Sequence, residues 1–496
     1  MQNEILNGLM QMEFLNELDR LAGYDKFDDY YKGKHPLMLP AKLKDILKDN
    51  YGILANYCAS VIDAPTSKLK IKSVNCEDKK AEQFLKRVWS KNRMDAKPTK
   101  IHRQTFVKGD CFVSVFPHFT KGSIKPDRYN IKIIRPEHIF PFYSSDDEAD
   151  LEYVVQQWVG WNNELNIPMA YKWIYYTDKI ERYIATDSGL TIDMPQSSLL
   201  NLYKNWIPDT NNADGLGAVL NNPYGVIPIV PFRNKAYDSP FGTSEIEKAI
   251  PIQDAINKCL VDLMHIVDLQ AFSQRIITGL DSEENIPINP ETNKRDFKAG
   301  AGETWVIAGA DAKVSELRPT DLNGILETIE KLIDRLCEVT RTPKMALNNS
   351  GGNVSSGFAL AKTEAPLIEK CEESQISFGN SYEDINTLLL KMAKYHGDLS
   401  FDEIPETEIN WKTLVETSPS DSFQEAQRLQ MLKQNNVISS AEWARLEGYD
   451  PEQIKSMQEE INQENESNMG NVIGHSFSAT ATNTDTANIN DVVNNE

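Results

Sequence analysis

Three stretches of the chain repeat apolar residues at the period of an α-helix. In the first, Ile252, Ala255, Ile256, Cys259, Leu260, Leu263, Met264 and Val267 make a wide stripe with few charges around it. That predicts a helix to about Gln274 that packs against more than one neighbour. Ser244 and Glu247 before it have the spacing of a capping box, and Pro251 kinks or restarts the helix. In the second, Leu322, Ile325, Leu326, Ile329, Leu332, Ile333, Leu336 and Val339 run for about five turns, with Thr320 and Asp321 placed to cap the start. In the third, Phe358, Leu360, Leu367, Cys371, Gln375, Phe378, Tyr382, Ile385, Leu389 and Met392 step by threes, fours and a seven, with Gln375 the polar lapse. This helix should cover roughly 38 residues, or about 57 Å, well beyond the ordinary globular length.

Between 105 and 233 the period becomes that of a strand. Phe112, Ser114 and Phe116 face opposite Cys111, Val113 and Val115, and Ile131–Ile134, Tyr153–Val155, Tyr171–Tyr176 and Glu181–Ile184 are further β-rich runs divided by turn residues. An α+β domain with a mainly antiparallel sheet follows. Ahead of it, 1–57 reads as charged helix, with Leu6, Met10, Phe14, Leu18 and Leu21 on one face and a break at Pro36-Leu-Met-Leu-Pro40. Residues 77–97 give a mixed-charge helix ended by Lys97-Pro98. Residues 280–319 form a compact insertion rich in Gly, Pro and Asn, with a short β pattern at Glu303–Ile307. Glu408–Trp411 reads as one more strand, and 419–462 as two or three short helices broken at Asn435-Asn436 and Gly448. From Gln463 the chain is rich in Asn, Ser and Thr and is expected to be disordered.

Composition narrows the chemistry. At 496 residues the chain should divide into two to four domains. Its 52 basic and 73 acidic side chains leave a net charge of −21, which excludes tight wrapping of nucleic acid, because that needs a basic footprint. The six cysteines are scattered without a Cys-x-x-Cys pair, as expected of reduced thiols and not of a zinc site or disulfide frame. The start lacks a basic leader region, and no apolar run reaches membrane-spanning length, so a soluble, unexported protein is expected. The acidic run Asp146–Glu152 lacks the spacing and glycine of a calcium loop. No His-x-x-x-His pair or spaced nucleophile–base set occurs. No catalytic residue, metal ligand or cofactor is nominated.

Between the second and third helices lies Thr342-Pro-Lys-Met-Ala-Leu-Asn-Asn-Ser-Gly-Gly-Asn-Val-Ser-Ser-Gly357, a small, polar stretch. Gly352-Asn-Val-Ser-Ser-Gly357 has the glycine spacing of a phosphate-binding loop and opens a helix. Yet Phe358 and Ala359 occupy the positions of the phosphate-binding Lys and the magnesium-binding Ser or Thr. A helix, not a strand, precedes it. This loop is not a P-loop.

The order of parts resembles the portal (head–tail connector) proteins of tailed bacteriophages, those with long, non-contractile tails in particular. Gly225-Val-Ile-Pro-Ile-Val-Pro-Phe232 is similar to the family's strand entering the stem, and 242–257 to its first stem helix. Ser355-Ser-Gly-Phe-Ala-Leu360 with Glu364-Ala-Pro-Leu367 resembles the start of the helix after its tunnel loop. Ile409–Trp411, Asn436–Ser440 and Leu446–Asp450 resemble the end of the wing and the crown. Together the resemblance spans roughly 100–460.

It implies a portal fold: a wing over 1–242 (an N-terminal helical part, then a β-rich part), stem helix 1 over 243–275, a small α/β clip over 276–319 and stem helix 2 over 320–341. A tunnel loop follows over 342–356, a long kinked wing helix over 357–396, a wing strand over 397–417, a helical crown over 418–465 and a disordered tail over 466–496. It further implies a twelve-fold ring at one capsid vertex, a conduit for double-stranded DNA during packaging and ejection. The implied partners are terminase large and small subunits, major capsid and scaffolding proteins, and later a head-completion adaptor, with no membrane. The implied setting is the virion, after synthesis in the bacterial host cytoplasm. Asn348, Asn349, Ser350, Gly351, Gly352 and Asn353 would face the DNA, and Asn285, Asn289, Asn293, Lys294 and Arg295 of the clip would dock terminase or adaptor. Lys331, Arg335 and Lys344 are basic residues that would ring the lumen. For Lys331 and Arg335 the alternative is ordinary pairing with Glu327, Glu330 or Asp334 one helical turn away. Twelve chains would sum to a charge on the order of −250, which repels the DNA backbone from the walls. The alternatives from other classes are a nucleotide-hydrolysing or nuclease enzyme of packaging and a monomeric helical adaptor.

Overall fold

The computed structural model describes residues 18–36, 54–271 apart from short gaps between 121 and 238, 275–278, 288, 313–316, 322–347, 357–414, 419–435, 437–440, 442–443 and 454–462. The chain forms two compact units, Met1–Val415 and Glu416–Glu496.

The first unit begins with helix α1 (18–32) and helix α2 (Tyr57–Lys68), followed by strand β1 (Ile71–Cys76) and helices α3 (Lys79–Lys91) and α4 (Lys97–Lys108). Asp78 caps α3, its carboxylate accepting from the amides of Lys80 and Ala81 at 2.8 Å each. Lys97-Pro98 does not end the preceding helix as expected, because that helix stops at Lys91. The chain turns through 92–96 and Pro98 opens α4, where its fixed φ suits the first turn and its missing N–H costs nothing.

Two sheets follow. Strands β2 (Asp110–His118) and β3 (Arg128–Ile134) pair with the later strand β10 (Ile229–Arg233) in the antiparallel order β10-β2-β3. The other is a six-stranded sheet of β4 (Ile139–Tyr143), β5 (Leu151–Asn162), β6 (Ile167–Tyr175), β7 (Lys179–Ala185), β8 (Ile207–Pro208) and β9 (Val219–Asn221). The expected antiparallel arrangement is therefore observed. Cys111–Val115 of β2 are buried on both faces, because one face meets the first core and Phe112 joins the core of the six-stranded sheet.

Helix α5 (Ile250–Ala271) leads to strands β11 (Arg275–Thr278) and β12 (Lys313–Glu316), which pair antiparallel, and then to α6 (Asn323–Thr340) and the short α7 (Lys344–Leu347). Ser244 does not make the expected capping box. Its hydroxyl donates to the Val107 carbonyl at 2.5 Å, 245–249 are turns, and the helix starts at Ile250 with Pro251 at its beginning. The start of α6 is capped by Leu322 with no side-chain hydrogen bond; Thr320 and Asp321 lie outside the described residues, as does the expected Glu303–Ile307 strand. At its far end α6 closes with Arg341 in the left-handed region, φ 51°, and Thr342 N–H on the Cys337 carbonyl at 3.0 Å.

Helix α8 (Gly357–Tyr395) spans 39 residues and contains Pro366. Its predicted inner line is the centre of the main core: Leu367, Cys371, Phe378, Tyr382, Ile385, Leu389 and Met392 are all 1% exposed or less. Around it pack Phe106, Phe232 and a fully buried His102, whose ring stacks on Phe378 at 5.2 Å and whose Nε2 meets Tyr382 Oη at 3.0 Å. Burial pushes His102 down from its ordinary value to about 3. Helix α8 also seals two sheet edges. Ser377 and Ser381 donate to the Arg233 and Pro231 carbonyls of β10, and Glu383 accepts from Ile409 N–H of strand β13 (Thr407–Trp411). The expected strand at 408–411 is thus present, and it pairs antiparallel with β1.

In the second unit, helix α9 (Pro419–Gln434) ends before Asn435, at the expected break. Lys433 lies 4.4 Å over the Trp443 ring, and a further helix α10 covers 454–462. The tail from Gln463 lies outside the described residues.

Candidate functional site

The elements of interest are the helix pair α5/α6, its root in the body and the crossing from α6 to α8. Within the pair, α6 buries Ile329, Ile333, Leu336 and Thr340. Leu332 and Ile325 are half-buried against the core, while Leu326 and Val339 are 47% and 45% exposed. The predicted stripe is therefore covered along its middle, with Leu326 and Val339 left exposed at its two opposite margins.

The three basic candidates all lie on the exposed side. Lys331 stands 4.0 Å from Glu327, Arg335 2.7 Å from Glu338 and Lys344 2.6 Å from Asp334. The pairing alternative thus describes Lys331, and Arg335 is paired too, though with Glu338 three residues on and not with Glu330 or Asp334. Lys344 is bridged back to α6. Exposed pairs of this kind contribute little to stability, but each sets a carboxylate beside a cation that could meet phosphate.

The loop candidates Asn348, Asn349, Ser350, Gly351, Gly352 and Asn353 and the clip candidates Asn285, Asn289, Asn293, Lys294 and Arg295 lie outside the described residues. What precedes and follows the loop is described. On one side Thr342 and Leu347 are buried. On the other, Glu364 of α8 takes an ion pair from Lys68 at the end of α2, 2.9 Å. Both mounts are in the body.

Beneath the first mount is a buried charge cluster that the sequence did not disclose. Lys370 of α8 is fully buried; its Nζ lies 2.8 Å from Glu245 Oε2 and donates to the Thr340 carbonyl at 3.0 Å. Lys235 pairs with the other oxygen of Glu245 at 2.5 Å, and Asn234 donates to it at 2.9 Å. The Thr340 carbonyl belongs to the last turn of α6, where helical carbonyls lack an internal partner and the dipole favours a cation. Burial alone would raise Glu245, but the Lys370 and Lys235 charges outweigh it and hold its carboxyl down at about 2. Burial likewise pulls Lys370 below its ordinary value, against the attraction of Glu245. The one available signal was spacing: Lys370 falls between Leu367 and Ser374 on the buried side of α8.

A second buried carboxylate sits where the chain enters α5. Asp110 accepts from Tyr24 Oη at 2.6 Å and from Gly242 N–H at 2.8 Å. There Gly109 (φ 87°) and Gly242 approach so closely that a Cβ on either would lie 2.3 Å or less from the other's carbonyl oxygen. Burial raises Asp110 to about 6 against those hydrogen bonds and the more distant Arg20 and Arg233.

Among the described residues no group of three His, Cys, Asp or Glu side chains is disposed to hold a metal ion, and no helix is long and apolar enough to cross a membrane.

The pattern of long helices and antiparallel sheets has a counterpart among known families. A family model for phage portal proteins of the SPP1 Gp6-like type matches residues 15–467. The chain belongs to this family. Portal proteins are structural components of the virion at the junction of head and tail. No curated protein sequence matches this portal chain. Its fold is similar to a chain in the neck of a native GTA particle computed with C12 symmetry, with 12% identity, a TM-score of 0.43, and coverage of 84% of this chain and 96% of that one. It is likewise similar to a chain in the neck of an empty GTA particle computed with C6 symmetry, with 12% identity, a TM-score of 0.44 and the same coverage.

Proposed function

We propose that this portal chain assembles into a twelve-fold ring at one capsid vertex and acts there as a passive conduit for double-stranded DNA during packaging and ejection, without catalysis of its own. The observation that carries the ring is α5. Leu260 and Leu263 are only partly covered by the core, Met264 is likewise partly exposed and Val267 is 40% exposed, while the charges of the midsection, Lys258 and Asp262, pair with each other at 2.8 Å. With Leu326 and Val339 exposed at opposite margins of the buried line of α6, this leaves the pair with apolar side chains that neighbouring copies would cover.

The conduit role is supported by charge. Lys331, Arg335 and Lys344 each pair with a carboxylate of α6, and the chain carries −21 overall. Walls of this kind do not hold phosphate. In this assignment α5 and α6 are the stem, 276–319 the clip that docks terminase and later the head-completion adaptor, and 342–356 the tunnel loop. The wing contacts major capsid and scaffolding protein, and the chain, made in the host cytoplasm, ends in the virion. Electron microscopy of the purified protein tests the ring: annular particles with a central hole are expected, and a uniformly monomeric protein at micromolar concentration would refute it. An ATPase assay tests the passive role, with no turnover expected. Activity that survives purification and disappears on changing Gly352 and Gly357 would overturn that role.

A further inference from the structure

The N-terminal segment makes a set of contacts that a surface appendage would not. Every polar side chain on the first turns of α5 that is not solvated is taken up by it. Tyr30 Oη donates to both carboxylate oxygens of Asp254, at 2.8 and 2.9 Å. Gln253 donates through Nε2 to the Ala55 carbonyl at 2.7 Å and accepts at Oε1 from Tyr57 N–H at 2.8 Å. Asn257 Oδ1 accepts from Ala55 N–H at 3.1 Å, and its Nδ2 faces His35 Nε2 at 3.0 Å. The two parts are held together as well: Asn56 donates to the Tyr31 carbonyl at 2.9 Å, and the His35 ring lies flat on Tyr30 with centroids 4.2 Å apart. Six residues earlier on the same helix, Tyr24 reaches Asp110, which fixes Gly242 in the lead-in to α5.

Partners some two hundred residues apart in sequence therefore converge on three successive polar positions, of which Gln253 and Asn257 are 0% and 2% exposed. Burying two amides costs free energy that only complete hydrogen bonding recovers. The amide orientations are also fixed: because Asn257 Oδ1 takes the Ala55 N–H, its Nδ2 must donate to His35, which has to be neutral. Burial lowers His35 in agreement, against the opposing charges of Asp254 and Asp29.

We infer that residues 24–35 and 54–57 form a strap that grips the root of α5 and holds it at one angle to the body. The apolar surface between α5 and the body gives adhesion without direction; the strap supplies the direction. An element so fixed transmits a load on its far end to the body instead of swivelling about its root.

The test is amide hydrogen exchange on the full chain. In the triple variant Tyr30→Phe, Gln253→Met, Asn257→Leu the polar contacts are removed at nearly constant volume, so the root keeps its apolar packing. The strap requires the amides of 250–262 to exchange at least about tenfold faster, while those of 374–392 in α8 change by less than about twofold. Equal acceleration in both helices would mean the contacts serve only global stability, and unchanged exchange in α5 would mean they fix nothing; either result overturns the strap. If the triple variant does not fold, Tyr30→Phe alone is read in the same way, with a smaller selective acceleration expected in α5 and an unchanged or non-selective result counting against it. None of these outcomes depends on ring formation, so the strap and the conduit stand or fall separately.

Discussion

Helix α8 and helix α5 are both long, both apolar along one side and both predicted from the same periodicity, but the chain treats them in opposite ways. The inner line of α8 is sealed: seven of its apolar residues are essentially inaccessible, and Ser377, Ser381 and Glu383 fasten its flank to strand edges. Helix α5 has the more continuous apolar sequence, yet among its described side chains the buried ones are Ile250, Gln253, Ile256, Asn257 and Val261, two of the five polar. Polar side chains fix where α5 begins, and its apolar ones are left half open beyond. Apolar periodicity thus shows which side of a helix can be covered, not what covers it. The body is a finished core, and the α5/α6 pair keeps apolar side chains that the chain itself leaves partly uncovered.

The sharpest way to separate the two is acid. His102 is neutral in the fold, with its value lowered by burial to about 3, whereas in the unfolded chain it titrates near its ordinary value. Above about pH 6.5 its contribution is fully present. As the pH falls toward 3 the unfolded chain takes up a proton that the fold refuses, so stability is lost, in total on the order of 5 kcal/mol. Glu245, held down by its lysines, acts in the same sense as the pH falls from its ordinary range to about 2. Asp110 opposes them: its raised value makes its contribution full below the ordinary carboxylate range and lost as the pH rises through about 6. Denaturant unfolding of the body, followed from pH 7 to 4, should show a steep loss that flattens in His102→Gln. An unchanged slope in that variant would place the acid-sensitive group elsewhere.

Substitution gives the next contrast. Phe378→Ala removes a ring packed on Phe106, Phe232 and His102 and should cost about 3–5 kcal/mol. Leu263→Ala on α5 removes a half-covered side chain, and in the isolated chain should cost under about 1 kcal/mol. In the assembled protein the same change should weaken association, read as a shift toward monomer in sedimentation. If Leu263→Ala destabilised the monomer as much as Phe378→Ala, the open surface of α5 would be part of the chain's own core and the comparison would fail.

Much of this was legible in the sequence because it depends on period. The α8 line, the paired strands at 105–233 and the break at Asn435 follow directly from alternation and turn residues. What stayed hidden depends on long-range partners. Strand β1, Ile71-Lys-Ser-Val-Asn-Cys76, lacks alternation and exists because β13 pairs with it more than three hundred residues later. Ser244 and Glu247 had a capping pattern, but the Val107 carbonyl captured the serine hydroxyl. Lys370 and Glu245 looked like two ordinary charges on separate helices, and only the fold makes them one buried pair. Lys331, Arg335 and Lys344 were identifiable by type, but whether each had a partner was a matter of rotamer and neighbour.

The smallest effect on stability is expected in the segment that joins the two regions. The proposed work of 348–356 rests on backbone freedom between the two mounts, Leu347 on one side and the Lys68–Glu364 pair on the other. Replacing Gly351 and Gly352 by proline fixes φ at both positions and removes two backbone donors. The mounts lie outside the substituted stretch, so unfolding should change by no more than about 0.5 kcal/mol, and rings should still form. Terminase docking, assigned to the separate segment 276–319, should persist. Heads assembled with the double variant should nevertheless stall, with packaged DNA shorter than in wild type when the two are compared by gel under identical conditions. Full-length packaging at the normal rate would reduce the loop to a connector between a finished core and an open stem, and the DNA-facing role of Asn348, Asn349, Ser350 and Asn353 would be withdrawn with it.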